Sequence, residues 1–288
     1  MSAGAPADRI VLRFSCPDRV GIVHAVAGFL ASRDLNIVES QQFAEPSSGR
    51  FFMRVEASAR RALDLRALRG EFAPLAQELA MAWDLLDAER RPRLLVLVSR
   101  LGHCLNDLLY RWRTGSLRAD IVAVVSNHAD FEGLARSSGV PFFHLPVSPH
   151  GRAEQEARLL ELVDEYDVEL VVLARYMQIL SAPTAERLAG RAINIHHSFL
   201  PSFTGARPYH QAYERGVKLV GATAHYLTAA LDEGPIIEQE VVRVDHSHSP
   251  ERLAELGRDV ECVVLARAVA WHLDQRVMLN GDKTVVFR

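Results

Sequence analysis

Two polar side chains, those of Asn194 and His196, lie two residues apart in an otherwise apolar stretch of the chain. In an extended strand alternate side chains share a face, so these two point the same way while Ile193 and Ile195 point into apolar packing. If the acidic turn at Asp232 folds back to the same place, an amide, an imidazole and a carboxylate meet there. We expect such a group to act on a carbonyl, because the amide can bind the carbonyl oxygen and the imidazole can move protons.

Polar residues of these types also occur in packed cores and in metal sites. A histidine on a strand can be a packed core residue, and spacing alone leaves that interpretation of His196 open. A metal site is another use of the histidines that lie near acidic residues, namely His196, His197, His225, His246 and His248. Their spacing disfavours a metal, because adjacent strand residues face opposite sides and neither a His-x-x-x-His helix nor a cysteine completes a four-coordinate set. We therefore predict no bound metal. A serine nucleophile is also disfavoured, because Ser198 lacks the glycine-flanked elbow that exposes such a residue.

Short apolar strands alternate with helical patterns from residue 93 onwards. The predicted strands are 94–98, 121–125, 170–173 and 192–195, and the predicted helices between them are 105–112, 131–136 and 153–166. Strand-like segments follow at 219–227 and 236–242, and a long helix runs from residue 250 to about 275. This alternation predicts a doubly wound, mostly parallel, Rossmann-like α/β sheet with helices on both faces. Ligands bind at the carboxyl ends of the strands in such sheets, which is where Asn194 and His196 fall.

The first 87 residues form a separate predicted module. Its predicted strands are 10–14, 37–43, 51–55 and 81–86, and its predicted helices are 22–30 and 63–79. The order strand, helix, strand, strand, helix, strand is ferredoxin-like (βαββαβ). The polar segment 88–92 ends in a proline, so we expect it to link a first domain over 1–87 to a second over 93–288.

Charge, cysteine spacing and hydropathy restrict the partners and the compartment. The net charge is −3 and no long basic block occurs, which disfavours a nucleic-acid partner. No apolar run approaches the ~18 residues of a membrane span, and the first residues lack a signal-peptide pattern. Cys16, Cys104 and Cys262 lie far apart, so no disulfide framework is predicted. We expect a cytoplasmic protein without a membrane partner.

The N-terminal module resembles an ACT domain. The resemblance rests on Asp18-Arg19-Val20-Gly21-Ile22 at the first strand-to-helix turn and on Asp34-Leu35-Asn36-Ile37 after the helix. It implies a homo-oligomer, either a dimer or a tetramer, and a small amino-acid effector bound near the first turn by Asp18, Gly21, Ile22 and Asn36. A packing or dimerisation module without a ligand is the alternative, since a glycine at position 21 also suits a tight turn.

The second domain resembles the formyltransferases that use 10-formyltetrahydrofolate, over roughly residues 93–272. The matching motifs are Asn194-Ile195-His196 with Ser198-Phe199-Leu200-Pro201, and Asp232-Glu233-Gly234-Pro235-Ile236-Ile237. The resemblance implies that Asn194, His196 and Asp232 are catalytic. By hypothesis, Asn194 donates a hydrogen bond to the formyl oxygen, His196 stabilises the oxyanion and moves protons, and Asp232 orients His196. Whether the histidine or the aspartate is the base stays open.

Within this family the chain resembles the members that carry an ACT-like domain and hydrolyse 10-formyltetrahydrofolate. Glycinamide ribonucleotide transformylases have a glycine-rich phosphate loop after the first strand of the domain, whereas His103, Cys104 and Leu105 occupy that place here. The implied reaction releases formate and tetrahydrofolate, feeds one-carbon and purine metabolism, and needs no cofactor besides the folate substrate. Two alternatives stay open: formyl transfer to an amine such as a ribonucleotide or a charged tRNA, and an amino-acid-sensing assembly protein with a vestigial catalytic fold.

The same resemblance implies which residues bind the substrate. The candidates are Gly102, His103, Asn106, Tyr176, Met177, Ile179, Leu180, Glu233 and Gly234. The main chain at 176–180 and the loop at Glu233 and Gly234 would hold the pterin ring. Family members often carry an arginine where this chain has Gln178. His197 replaces a proline that is common in the transferases, and we expect it to face away from His196 on a regular strand.

Overall fold

The computed structural model describes residues 7–148, 151–201 and 208–288. The chain forms two compact units. The first contains the chain up to Arg90 together with Asp274–Met278 and Val285–Arg288, and the second contains Arg91–Leu273 and Leu279–Thr284. Among the described residues, no helix is long and apolar enough to cross a membrane.

The first unit is an antiparallel sheet with two helices packed on it. Its elements are β1 (Ala7–Pro17), α1 (Ile22–Ala31), β2 (Asn36–Glu45), β3 (Arg50–Leu63), α2 (Leu65–Glu78) and β4 (Ala82–Asp87). The strand order is β2-β3-β1-β4, with every neighbouring pair antiparallel. Apolar side chains of the sheet and of both helices form one buried core. The predicted ferredoxin-like arrangement is confirmed.

Local residues explain how the helices of this unit begin. Gly21 precedes α1 with a left-handed φ of 98°, which glycine adopts without steric cost. Asp64 caps α2, because its carboxylate accepts hydrogen bonds from the main-chain N–H groups of Arg66 (2.9 Å) and Ala67 (3.1 Å). The predicted helix start at residue 63 is therefore wrong by two positions, since β3 continues to Leu63.

The second unit is built on a seven-stranded sheet. Its elements are β5 (Arg93–Val98), α3 (His103–Arg113), β6 (Asp120–Ser126), α4 (Glu132–Ser137), β7 (Phe142–His144), α5 (Arg152–Glu165), β8 (Leu170–Leu173), α6 (Ala182–Arg187), β9 (Ala192–His196), α7 (Pro208–Glu214), β10 (Leu219–Tyr226), β11 (Ile236–Arg243) and α8 (Pro250–Leu273). The strand order is β11-β10-β9-β8-β5-β6-β7. Strands β5 to β9 pair in parallel, and β10 and β11 are antiparallel. The predicted doubly wound, mostly parallel α/β domain is confirmed.

Several short elements were not predicted. They are β7, α6, α7 and a C-terminal hairpin of β12 (Val277–Asn280) and β13 (Lys283–Val286). Each is too short for its hydrophobic period to stand out from a loop. In contrast, β8 is buried along its whole length and could be recognised from its continuous apolar run.

Two segments that follow α8, Asp274–Met278 and Val285–Arg288, belong to the first unit. The guanidinium of Arg276 donates to both carboxylate oxygens of Glu39, at 3.1 and 2.9 Å. Met278 and Phe287 pack with Phe52 in a small apolar cluster. The bidentate ion pair and the apolar contacts attach these C-terminal residues to strands β2 and β3. The first unit is therefore not continuous in sequence.

Candidate active site

The end of β9 and the neighbouring β10 position the polar residues of the candidate site. In the antiparallel pairing of these strands, Asn194 lies opposite His225 and His196 lies opposite Thr223. The loop between β10 and β11 returns the chain to this place, because Tyr226 N donates to Pro235 O at 2.9 Å. The register therefore brings the loop beside the end of β9.

The predicted trio comes together. Asp232 has a left-handed φ of 58°, and its Oδ1 lies 3.2 Å from Nδ1 of His196. Both side chains are largely buried, and the hydrogen bond from His196 holds the pKa of Asp232 below its ordinary value. With Nδ1 held by the carboxylate, a neutral imidazole carries its lone pair on Nε2. Among the described residues, that Nε2 is buried and has no hydrogen-bond partner.

His225 is a part of the site that sequence reasoning considered only as a metal ligand. Its Nδ1 lies 2.9 Å from the carbonyl oxygen of Tyr226, so Nδ1 carries the hydrogen and Nε2 is an acceptor. Nδ2 of Asn194 lies 3.2 Å from that Nε2 and donates to it. Burial lowers the pKa of His225, which keeps the acceptor form. His225 therefore orients the amide, and short-range sequence patterns do not mark it because its position opposite Asn194 depends on the register of two paired strands.

The expectation that His197 faces away from His196 is wrong. The two imidazole rings stack with centroids 5.1 Å apart and an interplanar angle of 26°. The reason is that β9 ends at His196, so strand alternation does not extend to the next residue. Burial, aided by the positive charge of Arg175, lowers the pKa of His197 to about 3.

A cavity of about 290 Å³ brings the trio together with the predicted pterin-binding segment. Its lining includes Asn194, His196, Asp232, Tyr176, Met177, Gln178, Ile179 and Leu180. The exposed side chains of Met177 and Ile179 and the carbonyl and amide groups of this segment offer an apolar wall with polar edges. Such a lining suits a flat heteroaromatic ring.

Buried polar contacts hold this segment in place. Glu156 of α5 accepts hydrogen bonds from Ser181 N (3.0 Å), from Thr184 Oγ1 (2.5 Å) and from the hydroxyl of Ser181. Gln155 donates to the hydroxyl of Tyr176 at 2.9 Å. The 176–181 segment is thus fixed from the neighbouring helix before any ligand binds, which reduces the ordering cost of binding.

The other predicted substrate residues lie elsewhere. Within the described part of the chain, the lining of this cavity does not include Glu233, Gly234 or Gly102. Gly234 makes a close backbone approach, since a Cβ there would lie 1.7 Å from the carbonyl oxygen of Tyr226. His103 and Asn106 line a second, more open cavity of about 530 Å³. The substrate-binding assignments remain predictions.

The candidate effector residues lie around the first turn of the first unit. Asp18 N donates to Gly49 O at 2.9 Å, and Gly21 caps α1. Ile22 is buried in the core, and Asn36 begins β2. Their role toward an amino acid also remains a prediction.

Both units match models of known protein families. A family model of formyl transferases matches residues 92–269, and a model of the ACT domain matches residues 10–72. The fold and the site thus define an ACT domain joined to a formyl transferase domain, as the sequence motifs indicated.

Relatives that match nearly the whole chain identify the particular family within this class. The chain is 52% identical over 281 residues to the formyltetrahydrofolate deformylase of Corynebacterium sp., covering 97% of this chain and 98% of the relative. It is 48% identical over 282 residues to that of Bacillus subtilis, covering 97% and 94%. The crystal structure of the Burkholderia mallei deformylase superposes with a TM-score of 0.93 at 53% identity, over 98% of this chain and 100% of that one. The chain belongs to the formyltetrahydrofolate deformylase family.

A solved transferase is similar over part of the chain. The glycinamide ribonucleotide transformylase of Symbiobacterium toebii is 34% identical with a TM-score of 0.65, covering 69% of this chain and 95% of that one.

The depressed pKa of His197 makes stability depend on pH. At pH values between about 3 and 6.5 the unfolded chain binds a proton at His197 that the folded chain does not, so the free energy of unfolding falls as pH drops below 6.5. We expect the His197→Phe variant to lose unfolding free energy less steeply between pH 6.5 and 4.5 in urea titrations. The His246→Phe variant, altered in an exposed loop, controls for the loss of one histidine. An unchanged slope for His197→Phe would contradict the assignment.

Proposed function

We propose that this chain hydrolyses 10-formyltetrahydrofolate to formate and tetrahydrofolate, and so supplies one-carbon and purine metabolism in the cytoplasm. The observation that carries the proposal is the meeting of Asn194, His196 and Asp232 in one cavity with the 176–180 segment. The names of the full-length relatives support it, since each is a formyltetrahydrofolate deformylase.

The proposal assigns a role to each group of the trio. Asn194 donates one amide hydrogen to His225, and its second amide hydrogen would bond to the formyl oxygen. That hydrogen bond is worth roughly 10²–10³ in rate. Nε2 of His196, which has no partner among the described residues, takes a proton from the attacking water, a step that contributes about 10²–10⁴ in rate. Asp232 remains ionised and holds the imidazolium that forms.

The water oxygen bonds to the formyl carbon while His196 takes one of its protons. The bond from this carbon to N10 breaks, and the proton on His196 passes to N10. Formate leaves, and the remaining acidic proton goes to solvent.

Side chains fill the space after β5, which favours water over an amine as the acceptor of the formyl group. A Cβ at Gly102 would lie 2.3 Å from the ring of Phe131, and His103 is hydrogen-bonded to buried Glu261 at 2.6 Å. This place therefore lacks the open row of glycine N–H groups that would bind a phosphate of an acceptor.

An acceptor-free assay in ¹⁸O-enriched water tests the proposal. The full-length chain should convert 10-formyltetrahydrofolate to equal amounts of formate and tetrahydrofolate, with one oxygen of each formate coming from water. The His196→Gln variant should lose about 10²–10⁴-fold in kcat, whereas His246→Gln, on an exposed loop, should retain it. Release of formate only after an amine is added would show that the chain is a transferase.

We propose further that the first unit binds a small amino acid as an effector and that the chain is a homodimer or homotetramer. The match to an ACT domain and the left-handed Gly21 at the first turn support this. Equilibrium dialysis of the full chain against the common amino acids should find one that binds, and Gly21→Ala should weaken it because alanine disfavours that φ. Absence of binding by the wild-type chain would reject the effector, and a monomer in sedimentation velocity would reject the assembly.

A further inference from the structure

Arg175 places a buried positive charge beside the catalytic trio. It follows β8, has 6% of its surface exposed and lines the same cavity as Asn194 and His196. Its φ is 65°, in the left-handed region that non-glycine residues rarely occupy. A strained residue at a ligand cavity indicates that the surrounding structure holds it there for function.

The main chain on either side of Arg175 is attached to the end of β5. Ala174 N donates to Leu97 O at 2.8 Å, and Ser99 N donates to the carbonyl of Arg175 at 3.2 Å. Met177 N in turn donates to the hydroxyl of Ser99 at 2.9 Å. These contacts fix where the guanidinium enters the cavity wall.

In the described part of the chain, two of the three guanidinium nitrogens of Arg175 lack hydrogen-bond partners. Among the described residues, its Nε and Nη1 atoms are closed to solvent and unpaired. Oε2 of Glu261 lies 3.4 Å from Nε as an ion pair without a hydrogen bond, and the carboxylate accepts from His103 Nε2 and Tyr209 Oη, each at 2.6 Å. Glu261 therefore supplies charge but leaves the donors unsatisfied, which is costly in a buried place.

The missing partner is an anion rather than a metal. Ligand atoms of His103, Cys104 and Glu261 lie within 4.8 Å of one another, yet the guanidinium lies beside the same carboxylate and would repel a cation. The planar fork of an arginine matches a carboxylate, which can accept two parallel hydrogen bonds.

We infer that Arg175 is the binding group for the formate product. Formate is the smallest carboxylate, and the proposed hydrolysis, on which this inference rests, generates it in this cavity. Arg175 would receive it as the bond to N10 breaks, and its release would follow. Arg175 is therefore a product-binding residue in addition to the trio.

Titration of ¹³C-formate into the full-length chain without folate tests the inference. Line broadening of the formate carbon signal should saturate with a dissociation constant on the order of 1 mM, as expected for so few atoms. Arg175→Gln should weaken binding about tenfold or more because the charged donors are lost. Arg175→Lys should give an intermediate loss, because it keeps the charge without the fork. Arg158→Gln, on the exposed face of α5, is the matched control and should bind as the wild type does.

Three outcomes would overturn the assignment. They are wild-type broadening that does not saturate up to about 100 mM formate, equal binding by Arg175→Gln and wild type, and an equal loss in Arg158→Gln. Circular dichroism verifies the fold of each variant, and the conservative Arg175→Lys keeps the test decisive if the glutamine variant does not fold. The formate titration involves no turnover, so a negative titration leaves the result of the ¹⁸O assay unaffected. A negative ¹⁸O assay in turn leaves the formate titration as a separate measurement of binding.

Discussion

The pairing of His196 with Asp232 is the interaction on which the rest of the site depends. It joins the last residue of β9 to a loop that reaches it only because β10 turns back antiparallel beside β9. A largely buried carboxylate without a partner would be costly, so loop, strand register and the left-handed backbone at Asp232 are required together. Burial also limits screening by water and salt, which strengthens the pair.

The environment around this pair gives three neighbouring imidazoles different roles. His196 has one nitrogen on a carboxylate, and the other has no hydrogen-bond partner in the described part of the chain. His225 has one nitrogen on a carbonyl and the other on Asn194, so it orients an amide. His197 stacks on His196, and burial lowers its pKa to about 3, so it stays neutral above that pH. Residue type alone does not assign these roles, because hydrogen bonding and burial decide them.

What could be predicted from the sequence follows the same physics. The buried strands and the shared face of Asn194 and His196 follow from short-range periodicity, and Asp232 followed from a motif resemblance. Long-range contacts could not be obtained this way: the pairing of His225 with Asn194 needs the register between two strands. The stacking of His197 depends on where β9 ends. The two guanidinium nitrogens of Arg175 that lack hydrogen-bond partners among the described residues lie beside Glu261, which is distant in sequence.

A double-mutant cycle on His196 and Asp232 tests the central claim most directly. The kcat for formate release is measured for His196→Gln, Asp232→Asn and the double variant. If the pair works as one unit, each single variant loses about 10²–10⁴-fold, and the double variant loses little more than the worse single one, because most of the function is already gone. Losses that multiply, so that the double variant falls by the product of the two, would show that the residues act independently and contradict this account.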